Sequence, residues 1–304
     1  MYYDATGKGI DYNRANVQKE VYPVIKLGVE QTYIPLEDNN TKCLVIKASD
    51  LIQRSGLTLK PIFYDITKAG GIHAYLGYSG KVILSSVMPD RTLSGLTKER
   101  YGQLIRETGA DSYFTPDGET YLDRKHIAEK EIERIIEETR YLQSVCRNSK
   151  PIGLVKGSNS FQVESHASLL HDAGISTLVF HTGDYLRRNN KKEILIGSIH
   201  ARIVRKYAKT LLVSGIGSRR NLLRYAFADA FITQSHFTNA LNYRQLMKDG
   251  RWICTGQEAN RFIIAENLRQ IKKEVELLNG KRGLNGCIQE SIEEEEPLLF
   301  NEIG

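Results

Sequence analysis

The sequence lacks any apolar run near the ~18 residues that would cross a bilayer as a helix. Its opening stretch, MYYDATGKGIDYNRAN, has no apolar core of the kind that directs secretion. A cytoplasmic protein with no membrane partner is the expectation. Cysteine is scarce: Cys43, Cys146, Cys254 and Cys287 are scattered, with no C-x-x-C pair and no Cys/His cluster. That speaks against a structural zinc site and fits free thiols in a reducing compartment. The seven histidines show no ligand spacing either, so neither a metal nor a cofactor is expected.

What is present is ordinary for a globular protein: 304 residues, 41% apolar and 26% charged. That length allows two domains or one α/β barrel. The net charge is +6, and Glu293 to Glu296 mask part of it; without those four acids the body carries +10. A basic body suits a polyanionic partner. Composition leaves homo- and hetero-oligomers open.

The clearest unit is PIGLVKGSNSFQVESHASLLHDAGISTLVFHTGD, residues 151–184. An apolar run, an amphipathic stretch and a second apolar run read as strand, helix, strand, with the strands parallel. Similar runs start at Leu44, Pro61 (PIFYDI), Val82, Asp111, Thr210 and Ala230, and Val21–Ile25 reads as an edge strand. Short helices are expected at Leu51–Ser55, stopped by Gly56, and within Gly70–Gly80. Longer ones are expected at Lys98–Thr108 (capped by Thr97), Tyr121–Arg147, Ser198–Lys209, from Ser218 to Ala228, and near 257–278. Eight strands with helices between them predict a (β/α)8 barrel over residues 41–280, with an open doubly wound sheet as the other possibility. Residues 1–40 form an extension in this reading, and 281–304 an acidic, disordered tail. A barrel works at the C-terminal ends of its strands. That rule collects Ser85, Ser86, Asp90, Asp117, Lys156, Ser158, His181, Asp184, Ser214, Gln234, Ser235 and His236.

Several segments, in order, resemble tRNA-guanine transglycosylases. GGIHAYLGYSGKVILSS is similar to the glycine-rich helix and strand that carry a catalytic aspartate there. LTKERYGQLIRETGADSYFTPD resembles the next helix and strand, which end in a base-reading aspartate. PIGLVKGS is similar to the strand reading G-[IL]-V-Q-G-G, and SGIGSRRNLLRYAFADAFITQSHF to the last strand–helix–strand. LMKDGRW is similar to the stretch after that last strand in archaeal members. The likeness covers about residues 43–255. It implies exchange of guanine in nucleic acid, tRNA or DNA, for a 7-deazaguanine through a carboxylate that attacks C1′.

The pattern is not kept throughout. The general-base aspartate falls on Ser85, the nucleophile near Ile232 and the pocket glutamine on Lys156, and the zinc cysteines are missing. The base-reading carboxylate is kept as Asp117. The resemblance therefore implies a base site at Asp117, Ser85, Lys156, Gly157 and Ser158. Candidates for the missing chemistry are Asp90, Asp184 and nearby His181, although Asp90 also suits a surface turn paired with Arg91. Lys156 has two readings, a phosphate ligand or a partner of Asp117. Arg187, Arg188, Lys191, Lys192, Arg219 and Arg220 follow strands at the expected mouth and would meet phosphates, or serve as solvated loop charge. Three functions stay open: base exchange; a non-catalytic subunit that binds nucleic acid or an active partner; or an unrelated barrel enzyme that uses the glycine-rich turn after the seventh strand, Ser214 to Ser218, for a phosphorylated metabolite.

Overall fold

A computed structural model describes residues 18–280 except 39, 123–124, 187–189 and 257–259. Eight parallel strands build the core: β1 (Glu20–Pro23), β2 (Cys43–Lys47), β3 (Lys81–Ser85), β4 (Ser112–Phe114), β5 (Lys150–Val155), β6 (Thr177–His181), β7 (Thr210–Ser214) and β8 (Ala230–Thr233). Their order is β1-β8-β7-β6-β5-β4-β3-β2. The two ends meet where Val24 bridges Val45 and the Ile25 amide donates to the Val45 carbonyl at 3.0 Å. The sheet is thus a nearly closed (β/α)8 barrel, as the alternation of strands and helices predicted.

Side chains alternate across each strand. Val24, Val45, Ile83, Phe114, Leu154, Val179, Leu212 and Ile232 fill the interior. Leu44, Ile46, Val82 and Leu84 pack outward under helices, as do Leu178, Phe180, Val213 and Phe231 on the other side. Both faces are buried, which is why the strands read as continuous apolar runs.

The helices are α1 (Pro61–Lys68), α2 (Ile72–Leu76), α3 (Asp90–Leu93), α4 (Lys98–Thr108), α5 (Lys125–Val145), α6 (Ser160–Asp172), α7 (Gly183–Leu186), α8 (Lys191–Tyr207), α9 (Arg219–Arg224), α10 (Ser235–Leu241) and α11 (Arg261–Gly280). Thr97 and Ser218 cap α4 and α9 through their side chains, as expected, and Gly109 ends α4 in the left-handed conformation.

The structure differs from the sequence expectation in four places. PIFYDI is helical: Pro61 takes the first turn and Phe63 and Ile66 face inward, three residues apart. The eighth strand is instead β1, which lies inside the expected extension 1–40; it pairs with β8 and its end bridges β2 at Val24–Val45, so the barrel begins at Glu20. Leu51–Ser55 is a turn, where Ile52 bridges Leu59; Gly56 is required because a Cβ there would lie 2.4 Å from the Thr92 carbonyl oxygen. α8 starts at Lys191, seven residues before the expected Ser198, capped by Asn190. The acidic tail 281–304 lies outside the described residues.

The N-terminal ends of the strands are closed by two similar clamps. Asp111, just before β4, accepts from the Val82 amide of β3 at 2.7 Å and pairs with His73 of α2 at 3.0 Å. Asp229, just before β8, accepts from the Leu211 amide of β7 at 2.7 Å and pairs with Arg205 of α8. Each ties a strand to its neighbour and to a covering helix. Among the described residues no helix is long and apolar enough to cross a membrane.

Candidate active site at the barrel mouth

Lys156 and His181 continue the inward-facing series of β5 and β6, two residues beyond Leu154 and Val179. Both therefore point into the mouth. The Lys156 ammonium lies 2.9 Å from Asp117 Oδ1, with side chains only 11% and 7% exposed. Of its two sequence readings, the partner of Asp117 is the one observed. Burial alone would lower the lysine pKa, but the carboxylates of Asp117, Asp184 and Asp90 outweigh it and hold the group above its usual value. Lys156 is a fixed cation at neutral pH.

Asp117 sits in the irregular segment after β4, which is anchored to α5. Its Oδ1 accepts from the Gly118 amide at 2.8 Å, and its carbonyl accepts from the Arg134 guanidinium at 2.8 Å. Arg134 is itself held by Glu131 and Glu138.

His181 is the opposite case. Burial, helped by the neighbouring Lys156 ammonium, pushes it down to about 4, so it is a neutral imidazole near pH 7. Its Nδ1 lies 3.4 Å from Ser214 Oγ. A Cβ on Gly183 would fall 2.5 Å from its Nε2; only glycine lets the chain pass over the ring here.

The three candidate carboxylates are not equivalent. Asp117 is paired with Lys156. Asp90 is exposed, and the Tyr121 hydroxyl reaches its two oxygens at 2.7 and 2.6 Å. The expected partner Arg91 makes no ion pair with it among the described residues. Asp184, in the first turn of α7, has no hydrogen bond or ion pair among the described residues. It lines a cavity of about 20 Å³ together with Thr120, Lys156, Gly157, His181 and Tyr185. That volume takes a water molecule, not a purine.

Ser85, Gly157 and Ser158 reach the same end of the barrel but engage locally. Ser85 Oγ accepts from the Val87 amide at 3.2 Å. A Cβ on Gly157 would lie 2.7 Å from the Val163 nitrogen, so this glycine admits the first turn of α6. Ser158 bonds Gln162 Oε1 through both its amide and its hydroxyl, at 3.0 and 2.7 Å. His236 does not meet His181: it is fully buried under α11, with neither ring nitrogen hydrogen-bonded.

A comparison with protein-family models and with curated proteins found no match for this chain.

The predicted basic residues divide. Arg187 and Arg188 lie outside the described residues. Lys191 and Lys192 are exposed in the first turn of α8, a helix start and not a loop. Arg220 is exposed at the start of α9. Arg219 is occupied: its guanidinium lies 3.4 Å from the buried Glu274 of α11 and 3.3 Å from the Asp249 carbonyl. Both helices follow barrel strands, so these cations stand on the mouth side.

Two residues of the mouth are absent from the sequence-derived set. Tyr121 reads from the sequence as a helix start, and its bond to Asp90 is a contact across 31 positions that no local pattern reveals. Lys47 has a legible signal: it ends the first apolar run, and the rule that collects Ser85 collects it equally well. No group of His, Cys, Asp or Glu among the described residues is arranged to hold a metal ion.

Proposed function

We propose that the barrel recognises a guanine-type base of tRNA or DNA at its mouth and exchanges it for a 7-deazaguanine, with Asp184 as the attacking carboxylate. The observation that carries this choice is that Asp184 alone of the three is unpartnered among the described residues and lines the mouth cavity beside a neutral imidazole. An Asp184 oxygen would bond C1′ as the bond from C1′ to the base nitrogen breaks. The departing base takes the electron pair and one proton, which His181 relays from solvent. The incoming base then attacks C1′, loses a proton by the same route, and frees the carboxylate. Asp117 would accept from the ring N–H and amino group through the carboxylate oxygen that neither Lys156 nor the Gly118 amide engages. The ordered resemblance to transglycosylases, and the cations on the mouth side, support nucleic acid as the polymer.

A second reading, a non-catalytic subunit that binds nucleic acid or an active partner, is favoured by one observation. Lys156 already occupies Asp117, and the cavity that Lys156 lines together with Asp184 holds no purine. Labelled guanine exchange into tRNA and into duplex DNA separates the two. Exchange that is lost in Asp184→Asn and kept in Asp90→Asn supports the enzyme as written. Exchange unaffected by Asp184→Asn sinks that assignment. Salt-sensitive polymer binding without any exchange moves the reading to the subunit.

A further inference from the structure

Lys47 stands apart from the other charges of the mouth. It closes β2 on the same face as Cys43 and Val45, which are interior residues, so its side chain is directed into the barrel. In register it sits beside Ser85 of β3, and its charge is felt at His181 on the far side. It is half-buried, and among the described residues its ammonium has neither a hydrogen bond nor an ion pair. A lysine taken partly out of water without a partner is unfavourable, and burial lowers its pKa. The carboxylate that acts on it, Asp50, accepts from the Leu27 amide at 3.2 Å and is shared electrostatically with Lys26 and Lys60. Lys60 is itself tied to the Ser49 carbonyl at 2.7 Å.

The mouth is therefore electrically two-sided. Around Lys156 stand Asp117, Asp184 and Asp90, three carboxylates to one cation. Around Asp50 stand Lys26, Lys47 and Lys60, three cations to one carboxylate. One side suits hydrogen-bond donors; the other has more cations than its one carboxylate can balance.

We infer that Lys47 is the anchor of an anion site that takes a phosphate of the ligand, and that it orients a nucleotide with its phosphate toward β2 and its base toward Asp117. The nucleotide half of this statement rests on the base-recognition reading above. The anion half does not: the direction, burial and missing partner of Lys47 carry it without any part of the transglycosylase resemblance.

The test is calorimetric titration of the full-length protein with guanosine 5′-monophosphate, with guanosine, and with inorganic phosphate. The monophosphate is expected to bind about tenfold more tightly than guanosine, the factor that one charge-assisted hydrogen bond supplies. Lys47→Met should erase that preference and leave guanosine affinity unchanged, and Lys47→Arg should restore most of it. A second measurement needs no variant: phosphate should slow acetylation of Lys47, followed by peptide mass, while the exposed Lys68 at the end of α1 reacts as before. If phosphate binds through Lys47 but guanosine does not bind, the anion site stands and the base reading fails. The inference is overturned if Lys47→Met keeps the preference for the monophosphate, if phosphate leaves Lys47 acetylation unchanged, or if the intact protein binds neither phosphate nor the monophosphate.

Discussion

The two ends of this barrel handle carboxylates differently. At the N-terminal end, Asp111 and Asp229 are each committed to a neighbouring strand's amide and to a basic side chain on a helix. At the C-terminal end, Asp117 is committed to Lys156, Asp90 only to a tyrosine hydroxyl, and Asp184 to no described residue. A fully satisfied carboxylate holds the fold; one left unsatisfied at a rim is available to a ligand. Stability and binding chemistry are thus separated along the barrel axis, as the architecture favours.

That contrast can be broken most strongly from the N-terminal end. Asp229→Ala leaves Arg205, whose side chain is 6% exposed, without its carboxylate, and frees the Leu211 amide. A loss of about 3–5 kcal/mol is expected in urea unfolding, with the mouth chemistry unchanged in whatever fraction folds. Acid attacks the other end. His181 and His166 are held neutral by burial, each with a pKa near 4 against an ordinary 6.5. Between those values the unfolded chain binds protons that the folded one refuses. Their contribution is therefore complete above about pH 6.5 and lost as pH falls toward 4, on the order of 3 kcal/mol for each. Unfolding measured across that window should depend less steeply on pH in His181→Gln, with His166, His200 and His236 carrying the rest; an unchanged slope would contradict the burial argument. A smaller loss, roughly 1–3 kcal/mol, is expected for Gly157→Ala, whose new methyl meets the first turn of α6. Its melting temperature checks this. The smallest stability effect should come from Asp184→Asn, within about 0.5 kcal/mol of the parent in denaturant unfolding. The same change should abolish base exchange, which makes it the sharpest separation of the two ends.

How much of this is legible in the sequence depends on the range of the interaction. Seven of the eight strands and the caps at Thr97 and Ser218 are local patterns, and the sequence displays them. PIFYDI passes for a strand because a short apolar run has no clear period; the proline at its start and the Phe63/Ile66 spacing are the better signal. β1 is legible as a strand but not as the closing one, since its partners come from β8 and β2. At the mouth, strand ends name Lys156 and His181 correctly. The ranking of Asp90, Asp117 and Asp184 needs their partners, and Tyr121 and Lys156 reach them only through the folded chain.

The closure of the barrel has a consequence for how the protein is made. Glu20 lies opposite Ala230, so the first strand to leave a ribosome waits about 210 positions for its partner. Bringing such distant segments together carries a high loop-closure penalty and slows folding. The strands β2 to β7 can assemble successively, each beside the one before it, while synthesis continues. Until β8 emerges, such an intermediate exposes unpaired backbone along β7, and along β2 while β1 remains undocked. These edges are where a nascent chain of this protein is most open to aggregation and to chaperones.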